Sequence, residues 1–234
     1  MRVLYEDNHI VIVNKAPGEI VQGDRTGDVP LSELVARYLK EKYAKPGRVF
    51  VGVTHRLDRP VSGVVVFAKT SKALARLNRM FGEGAIHKTY WAVTTSTPDP
   101  EEAELTHYLT RNTEQNKSYA YDRERPHSQR AELHYRLIGR STSFSLLEVE
   151  LKTGRHHQIR CQLAHIGCPI KGDLKYGAPR SNADGSISLH ARRIRFVHPV
   201  SQQLIDVTAP APDGAPWSYF AHLADEGSQA QKEP

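Results

Sequence analysis

Residues 54–70 read Thr54-His55-Arg56-Leu57-Asp58-Arg59-Pro60-Val61-Ser62-Gly63-Val64-Val65-Val66-Phe67-Ala68-Lys69-Thr70. The stretch begins with charge and ends as a strand, because Val64 to Ala68 form a short β-branched run of the kind buried on both faces of a sheet. Pro60 and Gly63 interrupt regular structure just ahead of that run, which leaves His55, Arg56, Asp58 and Arg59 on a loop feeding a core strand. A polar loop held by a rigid strand is well placed for chemistry. Taken alone, Asp58 also reads as an ordinary turn aspartate paired with a neighbouring arginine.

Around this stretch the chain sorts into short elements. Strands are predicted over 3–5 and 9–14, joined by the turn Glu6-Asp7-Asn8. An amphipathic helix is predicted over 31–43 from Leu31, Leu34, Val35, Tyr38 and Leu39, and Pro46-Gly47 stops it. Val49 to Val53 then leads into the central loop. Ser71 is the expected N-cap of a helix running to Phe81, with Leu74, Leu77 and Met80 inward. Ile86 to Thr94 reads as a strand with Tyr90 and Trp91 on opposite sides. Residues 98–130 form a polar segment in which basic residues are interleaved with Tyr119 and Tyr121, a pattern suited to looped RNA or to a plain surface hairpin. Strands over 131–138 and 144–151 follow, then a helix from His156 to about Ile166.

Composition narrows the function classes. The chain has 234 residues, long enough for a sizeable core, and no linker divides it. Its formal net charge of +6 favours a polyanionic partner. Cys161 and Cys168 make no disulfide framework. The apolar run His9 to Val13 is too short for a signal peptide or a membrane span, so a soluble cytoplasmic protein without membrane association is the expectation.

Two stretches of unusual wording carry a resemblance. His55-Arg56-Leu57-Asp58 followed by Ser62-Gly63 and an apolar strand resembles the signature of the RluA-type RNA pseudouridine synthases. Lys152-Thr153-Gly154-Arg155-His156-His157-Gln158-Ile159-Arg160, then Gly167-Cys168-Pro169-Ile170-Lys171-Gly172-Asp173 and Tyr176-Gly177, resembles a later motif of the same family. The opening Asn14-Lys15-Ala16-Pro17 resembles its first motif with the commoner Pro-Ala order reversed, Lys15 otherwise reading as a surface lysine. Lys88-Thr89-Tyr90 and the closing segments Leu189 to Ala191 and Arg195 to Pro199 also resemble the family, so the likeness spans roughly residues 2–208. Gln162 departs from it, since the family often has histidine there.

The resemblance implies an α+β pseudouridine synthase fold, with a mixed, mainly antiparallel sheet flanked by helices. It implies one stand-alone catalytic domain over 1–224, and the polar composition of 225–234 predicts a disordered tail. The implied reaction isomerises uridine in structured ribosomal or transfer RNA, with no cofactor, no metal and no obligatory protein partner. Asp58 would be the catalytic carboxylate, Tyr90 would stack on uracil, and Arg160 would be the cation that keeps Asp58 charged in a dry pocket. Substrate contacts are expected from His55, Arg56, Arg155, His157 and Ile159, with Arg56 filling the place of a flipped-out base.

Two other classes compete. A non-catalytic RNA-binding module needs no aspartate among phosphates, and an aspartate-nucleophile hydrolase would want a second acid, a metal or an activated water. His157, Cys161, His165 and Cys168 share one helical face. Four ligands strung over about 16 Å of helix cannot surround one zinc ion, so this set reads as core packing.

Overall fold

The computed structural model describes residues 1–221, and the expected disordered tail over 225–234 lies outside the described residues. The described chain gathers into two compact units, one built from residues 1–88 and 191–209, the other from 89–190 together with the segment from 210 onward.

The first unit rests on β1 (Arg2–Glu6), β2 (Ile10–Lys15), β3 (Gly52–Val53) and β4 (Ser62–Ala68), with β10 (Leu189–Val197) and β11 (Leu204–Thr208) added from the C-terminal part. The strands lie in the order β1, β2, β4, β10, β11, with β3 also on β4. Where the register is defined, between β1 and β2, β2 and β4, β3 and β4, and β10 and β11, the pairing is antiparallel. Every residue of β4 is buried, as the unbroken apolar run predicts. Ile10, Ile12, Val64 and Val66 pack with Ala73, Leu77, Ile194 and Phe196. Burial of each such side chain contributes about 1.5–3 kcal/mol.

Helix α1 (Leu31–Lys42) buries Leu31, Val35 and Leu39 at the expected four-residue spacing. Helix α2 (Ser71–Gly82) is capped one residue earlier than expected. Thr70, in extended conformation, accepts the Ala73 N–H on its side chain at 3.1 Å, whereas Ser71 already belongs to the helix. Both residues can cap, and the end of the preceding strand decides between them.

The second unit is an antiparallel sheet in the order β5, β9, β8, β6, β7. It contains β5 (His87–Thr94), β6 (Glu102–Asn112), β7 (Lys117–Tyr121), β8 (Gln129–Arg140) and β9 (Ser145–Leu151), followed by α3 (Gln158–His165). The polar segment after residue 98 is therefore mostly hairpin: β6 and β7 pair from Tyr108 with Tyr121 to Asn112 with Lys117. Its exposure alternates along β6, so the strand carries too few apolar residues to announce itself. A short 3₁₀ turn over Trp217–Phe220 completes an apolar cluster with Trp91, Val93 and Leu146. The α+β class with a mainly antiparallel sheet agrees with expectation.

One glycine is required by packing. Gly63 has φ of +116°, and a Cβ placed on it would sit 2.3 Å from the carbonyl oxygen of Ala191 and 2.5 Å from its nitrogen. Backbone cannot move aside as a side-chain tip can, so β4 and β10 approach this closely only through glycine. Gly63→Ala is expected to destabilise the protein by about 3 kcal/mol or more. Urea unfolding measures it, and a midpoint equal to that of the wild type would contradict this packing account.

Candidate active site

In the first unit, the loop carrying Asp58 is fastened at both ends before β4 begins. At its start, the Thr54 hydroxyl donates to Val66 O at 2.6 Å, and the Val66 N–H donates to His55 Nε2 at 3.1 Å. At its end, the Val61 N–H donates to Asp58 O and the Gly18 N–H donates to Arg59 O. Lys15, for which a surface position was one of two readings, is 1% exposed. Its ammonium donates to the carbonyls of Ala16 (3.0 Å), Arg59 (3.0 Å) and Val61 (2.6 Å), which uses all three of its protons. Burial pushes this ammonium down to about 8, while the carboxylates of Glu19 and Asp58 pull the other way.

Arg59 turns outward. Its guanidinium pairs with Asp28 at 2.7 Å and accepts no role at the buried face, meeting Thr26 Oγ1 at 2.8 Å instead. Arg56 is exposed and Asp58 half-buried, so the loop presents a carboxylate and a planar cation two residues apart at the surface. His55 is partly exposed, yet its ring packs on Phe81 with centroids 4.7 Å apart and its Nε2 is occupied. Burial pushes the imidazole down to about 3, helped by the Lys88 ammonium. His55 is therefore a neutral support of the loop, accepting at Nε2.

In the second unit, the later motif forms a stapled turn. Buried Gln158 accepts from the Thr153 hydroxyl (2.8 Å) and the Arg155 N–H (2.9 Å), and donates to Glu132 O (3.0 Å). Thr153 in turn accepts the Glu132 N–H at 2.8 Å. Helix α3 starts at Gln158, two residues later than expected, because His157 adopts a left-handed conformation with φ of 53°. Nothing in the wording of a His-His pair signals that turn.

Arg160 on α3 is buried and bidentate to Asp173, Nε to Oδ2 at 2.6 Å and a terminal nitrogen to Oδ1 at 2.9 Å. Its guanidinium also lies 5.1 Å from the Tyr176 ring centre. The Tyr176 hydroxyl accepts the Ser118 N–H at 2.8 Å and meets His157 Nδ1 at 2.9 Å. His157 thus supports the frame behind Arg160. Ile159 is buried, Tyr90 is buried on β5, and Arg155 is exposed with its Nε donating to Arg130 O at 3.0 Å. Gln162, where histidine was the commoner expectation, is fully buried and its amide nitrogen lies 3.0 Å from His107 Nδ1.

The expected site residues fall into two sets. His55, Arg56 and Asp58 share one loop of the first unit, and Tyr90, Arg155, His157, Ile159 and Arg160 belong to the second. Sequence reasoning quoted Thr153, Gln158, Asp173 and Tyr176 as motif letters without giving them work. Their sequence neighbours are mostly polar, charged or glycine, so nothing but the motif wording marks them as buried.

Lys15→Met is expected to cost about 2–4 kcal/mol, because it removes the charged donor shared by the carbonyls of Ala16, Arg59 and Val61 and leaves Arg59 O with the Gly18 N–H alone. Urea unfolding tests it, and a loss below about 1 kcal/mol would mean that water replaces the ammonium. For His55 the folded value near 3 lies below its ordinary 6.5. The fold favours the neutral ring, so this contribution is complete above about pH 6.5 and is lost as pH falls toward 3. Between about pH 7 and pH 4.5, wild-type stability should therefore fall relative to His55→Gln, which cannot be protonated. Parallel unfolding midpoints across that range would remove His55 as the cause.

Residues 9–165 match the profile of a family described as RNA pseudouridylate synthase. The chain is 33% identical over 215 residues to an uncharacterized RNA pseudouridine synthase of Bacillus subtilis, YhcT, covering 90% of this chain and 68% of that one. It is 31% identical over 214 residues to ribosomal large subunit pseudouridine synthase C of Vibrio cholerae, covering 89% and 65% respectively. The chain thus spans about two thirds of the length of these curated relatives. Among solved structures, human RNA pseudouridylate synthase domain containing 4 superposes with a TM-score of 0.76 at 23% identity, covering 94% of this chain and 90% of that one, a likeness of fold. The matched span contains the Asp58 loop, β5 and all of α3, and on it the chain belongs to the RNA pseudouridylate synthase family.

Proposed function

We propose that this chain converts uridine to pseudouridine in structured RNA, ribosomal or transfer RNA, in the cytoplasm, with Asp58 as the catalytic carboxylate and residues 1–224 as one catalytic domain. The observation that carries the reading is the Asp58 loop itself, clamped by a buried lysine on one side and by Thr54 and His55 on the other, within the family's matched span.

The reaction breaks the bond from ribose C1′ to N1 and forms one from C1′ to C5. The C5 proton leaves and N1 regains one, so nothing is oxidised or hydrolysed and no cofactor or protein partner is required. A uridine inside a helix must first be flipped out, at a cost of a few kcal/mol. Exposed Arg56, two residues before Asp58, suits stacking in the vacated place. Asp58 then attacks the sugar or removes a sugar proton. Tyr90 stacks on the uracil, and Ile159 walls the pocket. Arg160, kept rigid by Asp173, supplies positive charge, while Arg155 and His157 hold RNA and the turn behind Arg160. The +6 charge attracts the RNA, and the Vibrio cholerae relative named for the large ribosomal subunit makes ribosomal RNA the first fraction to try.

RNA labelled with tritium at uridine C5, from cells lacking this protein, provides the test. Wild type should release tritium from ribosomal or transfer RNA, and Asp58→Ala should lower release by at least about 10³-fold while still binding RNA. Release by both proteins would discard Asp58. Binding without release by the wild type would leave an RNA-binding module.

A further inference from the structure

His107, Asp122 and His165 come from three elements of the second unit, strand β6, the residue after β7 and the end of α3. One ligand-capable atom from each lies within 4.8 Å of the other two. Both imidazoles aim Nε2 at the same carboxylate oxygen, His165 at 2.8 Å and His107 at 3.7 Å from Asp122 Oδ1. The rings meet edge to face with centroids 4.7 Å apart. One oxygen serves His165 well, but 3.7 Å is beyond hydrogen-bond length for His107.

A second observation concerns Gln162, on the same face of α3. Its amide nitrogen donates to His107 Nδ1 (3.0 Å) and Ala131 O (3.2 Å), while its Oε1 is buried with no hydrogen-bond partner among the described residues. Accepting at Nδ1 forces the neutral His107 ring to carry its proton on Nε2, the nitrogen facing Asp122. A buried carbonyl without a donor costs about 1–3 kcal/mol. One arrangement gives His107 a full partner at Nε2 and Gln162 Oε1 a donor. If a cation takes the Nε2 lone pair, the ring proton moves to Nδ1, and the Gln162 amide turns so that Oε1 accepts it, giving up the bond to Ala131 O. A metal-bound histidine characteristically donates its other nitrogen in this way.

We propose that His107, Asp122 and His165 form a binding site for a divalent transition metal, zinc being the reference ion, with Gln162 as the positioning residue behind His107. Two imidazole nitrogens and one carboxylate oxygen suit zinc and disfavour magnesium, which takes oxygen ligands. A tetrahedral ion with bonds of about 2.0–2.1 Å spaces its ligands ~3.4 Å apart. The exposed Asp122 side chain can swing to meet that spacing, and solvent fills the fourth position. The metal takes no part in isomerisation. It ties the end of the β6–β7 hairpin to α3. The helical-face set of His157, Cys161, His165 and Cys168 is not the site: Cys161 donates to Ser118 O, and burial pushes its thiol up to about 12.

The test is zinc chloride titrated calorimetrically into chelator-treated, dialysed full-length protein, with X-ray absorption on the loaded sample. Wild type should bind one zinc per chain with a nitrogen and oxygen shell. Asp122→Ala and His165→Ala should each weaken binding at least about tenfold, and Gln162→Met by about 10–100-fold. Cys161→Ser/Cys168→Ser should bind as the wild type does. Circular dichroism of metal-free Asp122→Ala, whose altered side chain is exposed, verifies folding. Absence of saturable binding below about 100 µM, a sulfur-containing shell, or unchanged affinity in Asp122→Ala would each overturn the site.

Discussion

The buried ammonium of Lys15 is the interaction on which the Asp58 loop depends. A loop cannot rely on strand pairing for its carbonyls, and Ala16, Arg59 and Val61 all turn theirs toward one point. A single charged donor with three protons meets them at once, and the cost of its burial is offset by three charge-assisted bonds. The nearby Asp58 carboxylate favours the same charge. The loop is therefore held to β4 at its start by Thr54 and His55 and tied at its end to the last residue of β2 by Lys15, and Asp58 sits between those two anchors.

The second unit uses the same logic with other parts. Gln158 plays the part of Lys15, joining Thr153, Arg155 and the backbone of Glu132 so that α3 starts at a defined place and angle. Behind Arg160, Asp173 fixes the guanidinium plane through two bonds, and Tyr176 faces it with a ring whose hydroxyl is itself engaged. A bidentate pair fixes orientation as well as position, which a lysine at 160 could not reproduce.

What the sequence revealed follows from what patterns can encode. The unbroken valine run of β4, the four-residue spacing of α1 and the aromatic alternation of β5 are patterns written in side chains, and all three are legible. The sequence leaves Lys15 open between a surface lysine and a motif residue, because lysine is rarely buried and its partners are carbonyls, which no sequence displays. The left-handed His157 is hidden for a related reason, and the hairpin of β6 and β7, one of two readings of its segment, shows no strand bounds in the sequence: neither carries glycine or an apolar stripe at the deciding place. The cluster of His107, Asp122 and His165 is a product of tertiary folding alone, since no two of its members are closer than fifteen positions in the chain.

The carbonyls held by Lys15 also bear on which letters of the first motif can vary. Every residue type, proline included, offers a main-chain oxygen. A proline at position 16 would present the same acceptor that Ala16 does, so the reversed Ala16-Pro17 order leaves the clamp chemically intact. The identities of residues 16, 59 and 61 are thus free of this duty, while position 15 is tied to it. A search written in side-chain letters would weight all four alike, whereas the physical constraint rests on one of them.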